Sequence, residues 1–171
     1  ITFFLTVIFD LTVAIEVGLL IACVLFMKRV METTDISVIK NEIDPNNESD
    51  LEVHEEHLMV PEGVEVYEIN GPYFFGIATK FEEIMSELGA RPKVRIIRMR
   101  KVPFIDSTGI HNLTNLCEMS KKENIHIVLS GVNEKVHKVL EKAGFYDLLG
   151  EDNICPNINV ALEKAKAIVE K

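Results

Sequence analysis

The first 27 residues are almost entirely apolar, and this stretch constrains the fold more than any other part of the chain. Only Asp10 and Glu16 carry charge within it. The uninterrupted apolar run over residues 17–27 would span only about 16 Å as a helix, which is half of a bilayer. The stretch therefore belongs in a membrane, but a plain single span does not account for it.

We predict two membrane segments joined by a turn. Residues 1–9 would end one helix, residues 10–13 would turn at the far surface, and residues 14–31 would form the last spanning helix. This places Glu16 in the first helical turn, where the helix dipole favours an acid. The alternative is one long tilted helix in which Asp10 and Glu16 face a bundle interior or an ion path.

A polar and acidic linker is expected after the membrane segment. Lys28 and Arg29 stand at the membrane exit, and basic residues at this position place the rest of the chain in the cytoplasm. Residues 32–60 are mostly polar and acidic. Within them we predict a short helix over residues 33–43, which breaks at the turn-forming cluster 44–47.

Composition excludes several classes of function. The net charge of −9 argues against a nucleic-acid-binding protein. Cys23, Cys117 and Cys155 are odd in number and unclustered, which favours reduced thiols over a disulfide framework or a zinc site. The sequence contains no P-loop, no nucleophile–base motif and no dinucleotide fingerprint. We therefore expect no enzymatic activity, no metal and no cofactor.

From residue 61 onwards, strand patterns and helix patterns alternate. Strands are predicted over residues 64–69, 74–75, 94–99 and 125–129, and helices over residues 77–88, 106–123, 133–143 and 159–169. Such alternation implies crossover connections and a mainly parallel sheet with packed helices. We therefore predict an independent α/β unit over residues 61–171.

A short polar corner joins one of these strands to its helix. Asp106, Ser107 and Thr108 are residue types that satisfy the free amides at a helix start, and Gly109 lets other backbone approach closely. An ordinary helix cap is one interpretation of this corner. The other is a regulatory site, because a helix N-terminus would accommodate a phosphate added to either hydroxyl.

A basic group stands out in this acidic chain. Arg95, Arg98, Arg100 and Lys101 lie in or directly after the predicted strand over residues 94–99. One interpretation is a solvated strand edge and loop whose charges face water or pair with the acidic linker. The other is a docking patch for an acidic cytosolic protein or for the cytoplasmic face of a membrane protein.

The segment over residues 98–111, RMRKVPFIDSTGIH, closely resembles the STAS domain of bacterial SulP anion permeases. Residues 9–18, FDLTVAIEVG, look like the end of the transmembrane domain of these proteins. Residues 130–132 and 143–145 are also similar to the family. The resemblance covers nearly the whole chain apart from the linker.

The resemblance implies a secondary transporter of the bacterial inner membrane for anions such as sulfate, bicarbonate or dicarboxylates. Residues 1–31 would end its transmembrane domain, and residues 61–171 would form a cytoplasmic STAS domain that regulates transport and performs no catalysis. The partners would be the lipid bilayer, the rest of the transmembrane domain and a second copy of the protein.

The chain begins at Ile1 inside the apolar stretch, so we also expect it to be the C-terminal part of a longer protein. In the family the substrate binds upstream of this region, and no residue here is expected to bind it.

The same fold resembles anti-sigma-factor antagonists, which are switched by phosphorylation of a serine in an Asp-Ser-Ser/Thr-Gly corner. Ser107 is the matching position. The alternative function is therefore a membrane-tethered signalling module, in which phosphorylation adds about two negative charges at a helix N-terminus.

Overall fold

A computed structural model describes residues 11–32, 35–39, 42–43, 58–73 and 91–170. The chain divides into two compact units, Ile1–Thr33 and Thr34–Lys171.

The first unit contains one long apolar helix, α1 (Leu11–Glu32). Its 22 residues span about 33 Å, the thickness of the hydrocarbon core of a bilayer. Among the described helices, α1 is the one that is long and apolar enough to cross a membrane, over Leu11–Arg29. Its large side chains, such as Leu19, Leu25 and Phe26, are exposed. An apolar helix with this surface is suited to a lipid environment.

The start of α1 corrects part of the membrane prediction. Residues 11–13, predicted to lie in a turn, are helical, and Glu16 lies in the second turn of α1 instead of the first. The physical reason is that residues 11–13 contain no glycine or proline, so nothing stops the helix from propagating through them. Asp10 and the predicted helix over residues 1–9 lie outside the described residues.

The second unit is built on a five-stranded sheet with the order β1-β4-β5-β6-β7. A separate two-stranded ladder joins β2 and β3. The strands are β1 (Asp35–Ile39), β2 (Glu42–Ile43), β3 (Leu58–Met59), β4 (Val64–Asn70), β5 (Val94–Lys101), β6 (His126–Ser130) and β7 (Ile154–Cys155).

Strands β4 to β7 pair in parallel, and β1 pairs antiparallel with β4. The prediction of a mainly parallel sheet with packed helices is therefore confirmed. The helices are α2 (Ser107–Lys122), α3 (Glu134–Lys142), α4 (Phe145–Leu149) and α5 (Ile158–Val169), with a 3-10 turn at Glu151–Asn153. The predicted strand over residues 74–75 and the predicted helix over residues 77–88 lie outside the described residues.

Helices cover both faces of the sheet, which is why the central strands are rich in β-branched apolar residues. Helices α2, α3 and α4 pack on one face, over Tyr67, Ile97 and Leu129. Helix α5 packs on the opposite face, over Val66 and Ile96. As a result, the first six residues of β5 are buried.

Strand β1 corrects the linker prediction. The short helix predicted over residues 33–43 is wrong, because Asp35–Ile39 forms a strand along the edge of β4. The segment is rich in β-branched residues, and Ile36 is buried as part of the core on the α2 face of the sheet. An open sheet edge and a buried apolar side chain therefore outweigh the weak helical tendency of so short a segment. The second unit accordingly begins at Thr34, within the residues assigned to the linker.

Candidate functional site

The polar corner lies between β5 and α2, as predicted. Asp106 is the N-cap of α2, and its Oδ1 accepts a hydrogen bond from the Gly109 amide at 2.6 Å. Just before it, buried Ile105 pairs with Tyr73 in an isolated parallel bridge. The corner is thus anchored on both sides, by the cap on the helix and by the bridge to the preceding part of the sheet.

Gly109 makes the close approach that the sequence predicts. A Cβ atom at this position would lie 2.8 Å from the Tyr73 ring and 2.8 Å from Ile105 Cγ1, and closer still to the Tyr73 carbonyl oxygen. Tyr73 is itself buried, and this burial raises the pKa of its hydroxyl. Because the obstacle includes backbone, no side-chain rotation would relieve the clash. Only glycine therefore allows α2 to start at this depth.

Ser107 and Thr108 occupy the first two helical positions and are exposed. Neither serves as the cap, since Asp106 takes that role. A phosphate on the Ser107 hydroxyl would face solvent and the positive end of α2, although the Asp106 carboxylate stands beside it. The geometry is compatible with modification, and phosphorylation of the corner stays a prediction.

The basic residues of the predicted docking patch are not grouped on one open surface. Arg95 and Arg98 are only 6% and 7% exposed, whereas Arg100 is exposed and Lys101 is half-buried. The expectation that Arg95 and Arg98 present charge to solvent or to a partner is therefore wrong. The physical reason is that helices cover both faces of the sheet at β5. Successive side chains of this strand therefore lie alternately in the two cores, instead of alternating between core and solvent.

Each buried arginine is paired with a glutamate of β4. Strands β4 and β5 are parallel and in register, so Glu65 lies opposite Arg95 and Glu68 lies opposite Arg98. Arg98 Nη1 lies 3.2 Å from Glu68 Oε1, and Arg95 Nε lies 3.9 Å from Glu65 Oε2. Buried charges persist only when they are paired, and these carboxylates provide the partners.

The Arg95 pair is extended by further hydrogen bonds beneath α2. Arg95 Nη1 donates to Ser120 Oγ of α2 at 3.3 Å. The Tyr67 hydroxyl donates to Glu65 Oε2 at 2.7 Å. Burial, and then the hydrogen bond to Glu65, raise the pKa of Tyr67. This network ties β4, β5 and α2 together through polar contacts inside the core.

Sequence reasoning missed the two glutamates, although a signal for them exists. Glu65 and Glu68 are three residues apart, as are Arg95 and Arg98. When two adjacent strands are in register, glutamates and arginines with the same spacing lie opposite each other. Because a spacing of three residues is odd, the two pairs lie on opposite faces of the sheet. Comparison of the glutamate spacing with the arginine spacing would have indicated that these arginines are paired with carboxylates and not solvated.

Comparison with known proteins gives consistent matches. The chain matches the STAS domain family over residues 57–161. It is 29% identical over 159 residues to the putative sulfate transporter YvdB of Bacillus subtilis, a match that covers 89% of this chain and 27% of that protein. The chain thus spans about a quarter of the length of the curated relatives it matches.

Solved structures agree with these matches. A sulfate transporter family protein from Wolinella succinogenes is 43% identical, with a TM-score of 0.64 over 67% of this chain and 93% of that one. The STAS domain of a SulP transporter from Vibrio cholerae is 37% identical, with a TM-score of 0.59 over 66% and 88%. A putative anti-sigma factor antagonist from Thermotoga maritima shares the fold at 19% identity, with a TM-score of 0.55 over 63% and 91%.

Substitution of Gly109 tests the close packing at the corner. Gly109→Ala is expected to lower the free energy of unfolding of the Thr34–Lys171 unit by about 1–3 kcal/mol, because the new methyl group meets backbone that cannot yield. Urea denaturation measures this loss. The control is the neighbouring exposed position, where Thr108→Ala should change the value by less than about 0.5 kcal/mol. Equal effects of the two substitutions would contradict the packing described here.

Proposed function

This chain belongs to the STAS domain family and, within it, to the STAS domains of the SulP transporters, and on that premise we propose that it is the C-terminal part of a secondary anion transporter. The substrate of the whole protein would be sulfate, bicarbonate or a small dicarboxylate. Transport would proceed by alternating access in a transmembrane domain that precedes the residues described here.

One observation carries this proposal. A bilayer-length apolar helix, α1, is followed in the same chain by a unit that is 43% identical to a sulfate transporter family protein. Neither part alone is as informative, because single apolar helices and STAS folds both occur in other settings. Their succession in one chain is the order expected of a membrane transporter with an appended STAS domain.

The protein is membrane-associated, and we place it in the bacterial inner membrane with the STAS unit in the cytoplasm. Exposed Lys28 and Arg29 at the end of α1 support this orientation. The partners we propose are the lipid bilayer, the rest of the transmembrane domain and a second copy of the protein. Docking of an acidic cytosolic protein stays a prediction for Arg100 and Lys101.

The role we assign to the STAS unit is regulation of transport, without catalysis of its own. Three polar side chains at the corner and inside the sheet have contacts that stabilise the fold: Asp106 caps a helix, and Arg95 and Arg98 pair with glutamates. A rigid unit of this kind acts by changing the balance between states of the domain to which it is joined.

A phosphorylation-switched signalling module is the second candidate. The observation in its favour is the exposed Ser107 at the start of α2, on a fold shared with an anti-sigma factor antagonist. That likeness rests on 19% identity, against 43% for the sulfate transporter family protein. We therefore propose phosphorylation of Ser107 only as one means of regulating the transporter.

Uptake by the full-length transporter tests the proposed function. Proteoliposomes that contain it should take up radiolabelled sulfate, bicarbonate or a dicarboxylate. Removal of residues 34–171 should change the uptake rate per transporter by about fivefold or more, the size of a typical regulatory coupling. Absence of uptake for all three anions would contradict the transport proposal, whereas an unchanged rate after truncation would contradict only the regulatory role.

The modification of the corner is tested separately. Mass spectrometry of the protein from its native cells should find phosphate on Ser107 under at least one growth condition, because this hydroxyl is exposed and lies at a helix N-terminus. In the uptake assay, Ser107→Glu should then shift the rate while Ser107→Ala retains the basal value. An unmodified Ser107 under all conditions removes the switch and leaves the transporter proposal intact.

A further inference from the structure

A cavity of about 370 Å³ lies at the carboxyl ends of the central strands. Its lining combines strand ends, the turn after β6 and the start of α5: Arg98, Arg100, Ser130, Gly131, Asn157 and Asn159 are among the lining residues. The cavity is distinct from the corner at Asp106, whose residues do not line it.

The topology of the sheet favours a ligand at this position. After β6 the chain passes to α3 on one face, whereas after β7 it passes to α5 on the opposite face. Neighbouring strands whose connections leave to opposite faces open a crevice between them. In open α/β sheets, ligands bind in this crevice, outside the carboxyl ends of the strands.

The start of α5 directs hydrogen-bond donors into this region. Asn157 caps the helix, since its side chain accepts from the Val160 amide at 3.0 Å and its carbonyl accepts from the Ala161 amide at 3.3 Å. The amides of Ile158 and Asn159 are left without an acceptor inside the helix. Helix α5 has 12 residues, so its N-terminus also carries the positive end of a helix dipole.

Ser130 gives an independent sign that a ligand binds in this cavity. Its side chain is 0% exposed and lines the cavity, yet Oγ has no hydrogen-bond partner among the described residues. A buried hydroxyl without a partner is costly, so native proteins usually satisfy such groups. An oxygen atom of a bound ligand would satisfy it.

The charge of the lining selects for an anion. Arg98 lies opposite Ser130 in the register of β5 and β6, and Arg100 follows at the end of β5. Among the residues that the structure describes, none that lines the cavity is acidic. Glu68 engages Arg98 Nη1, but a guanidinium carries five donors, more than this one contact uses.

We propose that this cavity binds a tetrahedral oxyanion, sulfate or phosphate, either free or as the terminal group of a small organic molecule. The amides of Ile158 and Asn159, the Ser130 hydroxyl and the two arginines supply the donors. The volume falls within the range of small-molecule sites, which leaves room for an organic substituent. The site goes beyond the proposed transport function, because binding here does not require a transmembrane substrate site.

Titration of the full chain in detergent micelles tests this site. Inorganic phosphate, sulfate and glycerol phosphate are added separately at constant ionic strength, with chloride as the balancing salt, and the backbone amides of Ile158 and Asn159 are followed by NMR. Saturable shifts of both amides are expected with at least one of the three. Tighter binding of glycerol phosphate than of inorganic phosphate and sulfate would identify the esterified anion, and tighter binding of either inorganic anion would identify the free one.

Three variants separate a built site from general attraction to positive charge. Ser130→Ala should weaken binding about tenfold through the loss of one hydrogen bond to a charged group, without lowering the free energy of unfolding. Arg100→Gln should also weaken binding about tenfold. Arg91→Gln removes the same charge at an exposed position outside the cavity and should change the affinity by less than about twofold.

Three results would overturn the proposal. The first is the absence of a saturable shift with all three anions. The second is an affinity in Ser130→Ala and Arg100→Gln that equals that of the unsubstituted chain. The third is an equal loss of affinity in Arg91→Gln. The second and third results would each show that the cavity does not recognise the anion.

Discussion

The pairing of Glu65 and Glu68 with Arg95 and Arg98 is the constraint on which the sheet depends. Strand β5 is buried on both faces, and a charge placed there without a partner would cost several kcal/mol. The in-register alignment of β4 and β5 gives each arginine a carboxylate. A shift of one residue would move every side chain to the other face and separate both pairs. The ion pairs therefore specify the register at the centre of the sheet.

The same strand positions both candidate sites. On one face, Arg95 contacts Ser120 and so connects the sheet to α2, whose first turn carries the polar corner. On the other face, Arg98 reaches the cavity at the start of α5. After β5 the chain passes through residues 102–105 to the corner, where Gly109 packs against Tyr73. Regulation through the corner and binding in the cavity would thus share one rigid element.

Local chemistry made the corner predictable, because an Asp cap and a close-packed glycine are properties of a few neighbouring residues. The strands from β4 to β6 and the helices α2, α3 and α5 follow from periodicity and caps in the same way. Strand β1 does not follow from its local sequence, because it forms by pairing with the exposed edge of β4. The burial of Arg95 and Arg98 also depends on distant helices that cover the sheet, and the cavity exists only once β6, β7 and α5 meet. These features are tertiary, and a one-dimensional pattern does not contain them.

Arg98 and Glu68 stabilise the sheet as a buried pair. A double-mutant cycle tests this pairing most directly: the free energies of unfolding of the Thr34–Lys171 unit are measured by urea denaturation for Arg98→Met, Glu68→Gln and the double variant. We expect the double variant to lose about 1–3 kcal/mol less than the sum of the two single losses, because each single substitution leaves a buried partner unpaired. Additive losses would show that the two side chains do not stabilise the sheet as a pair.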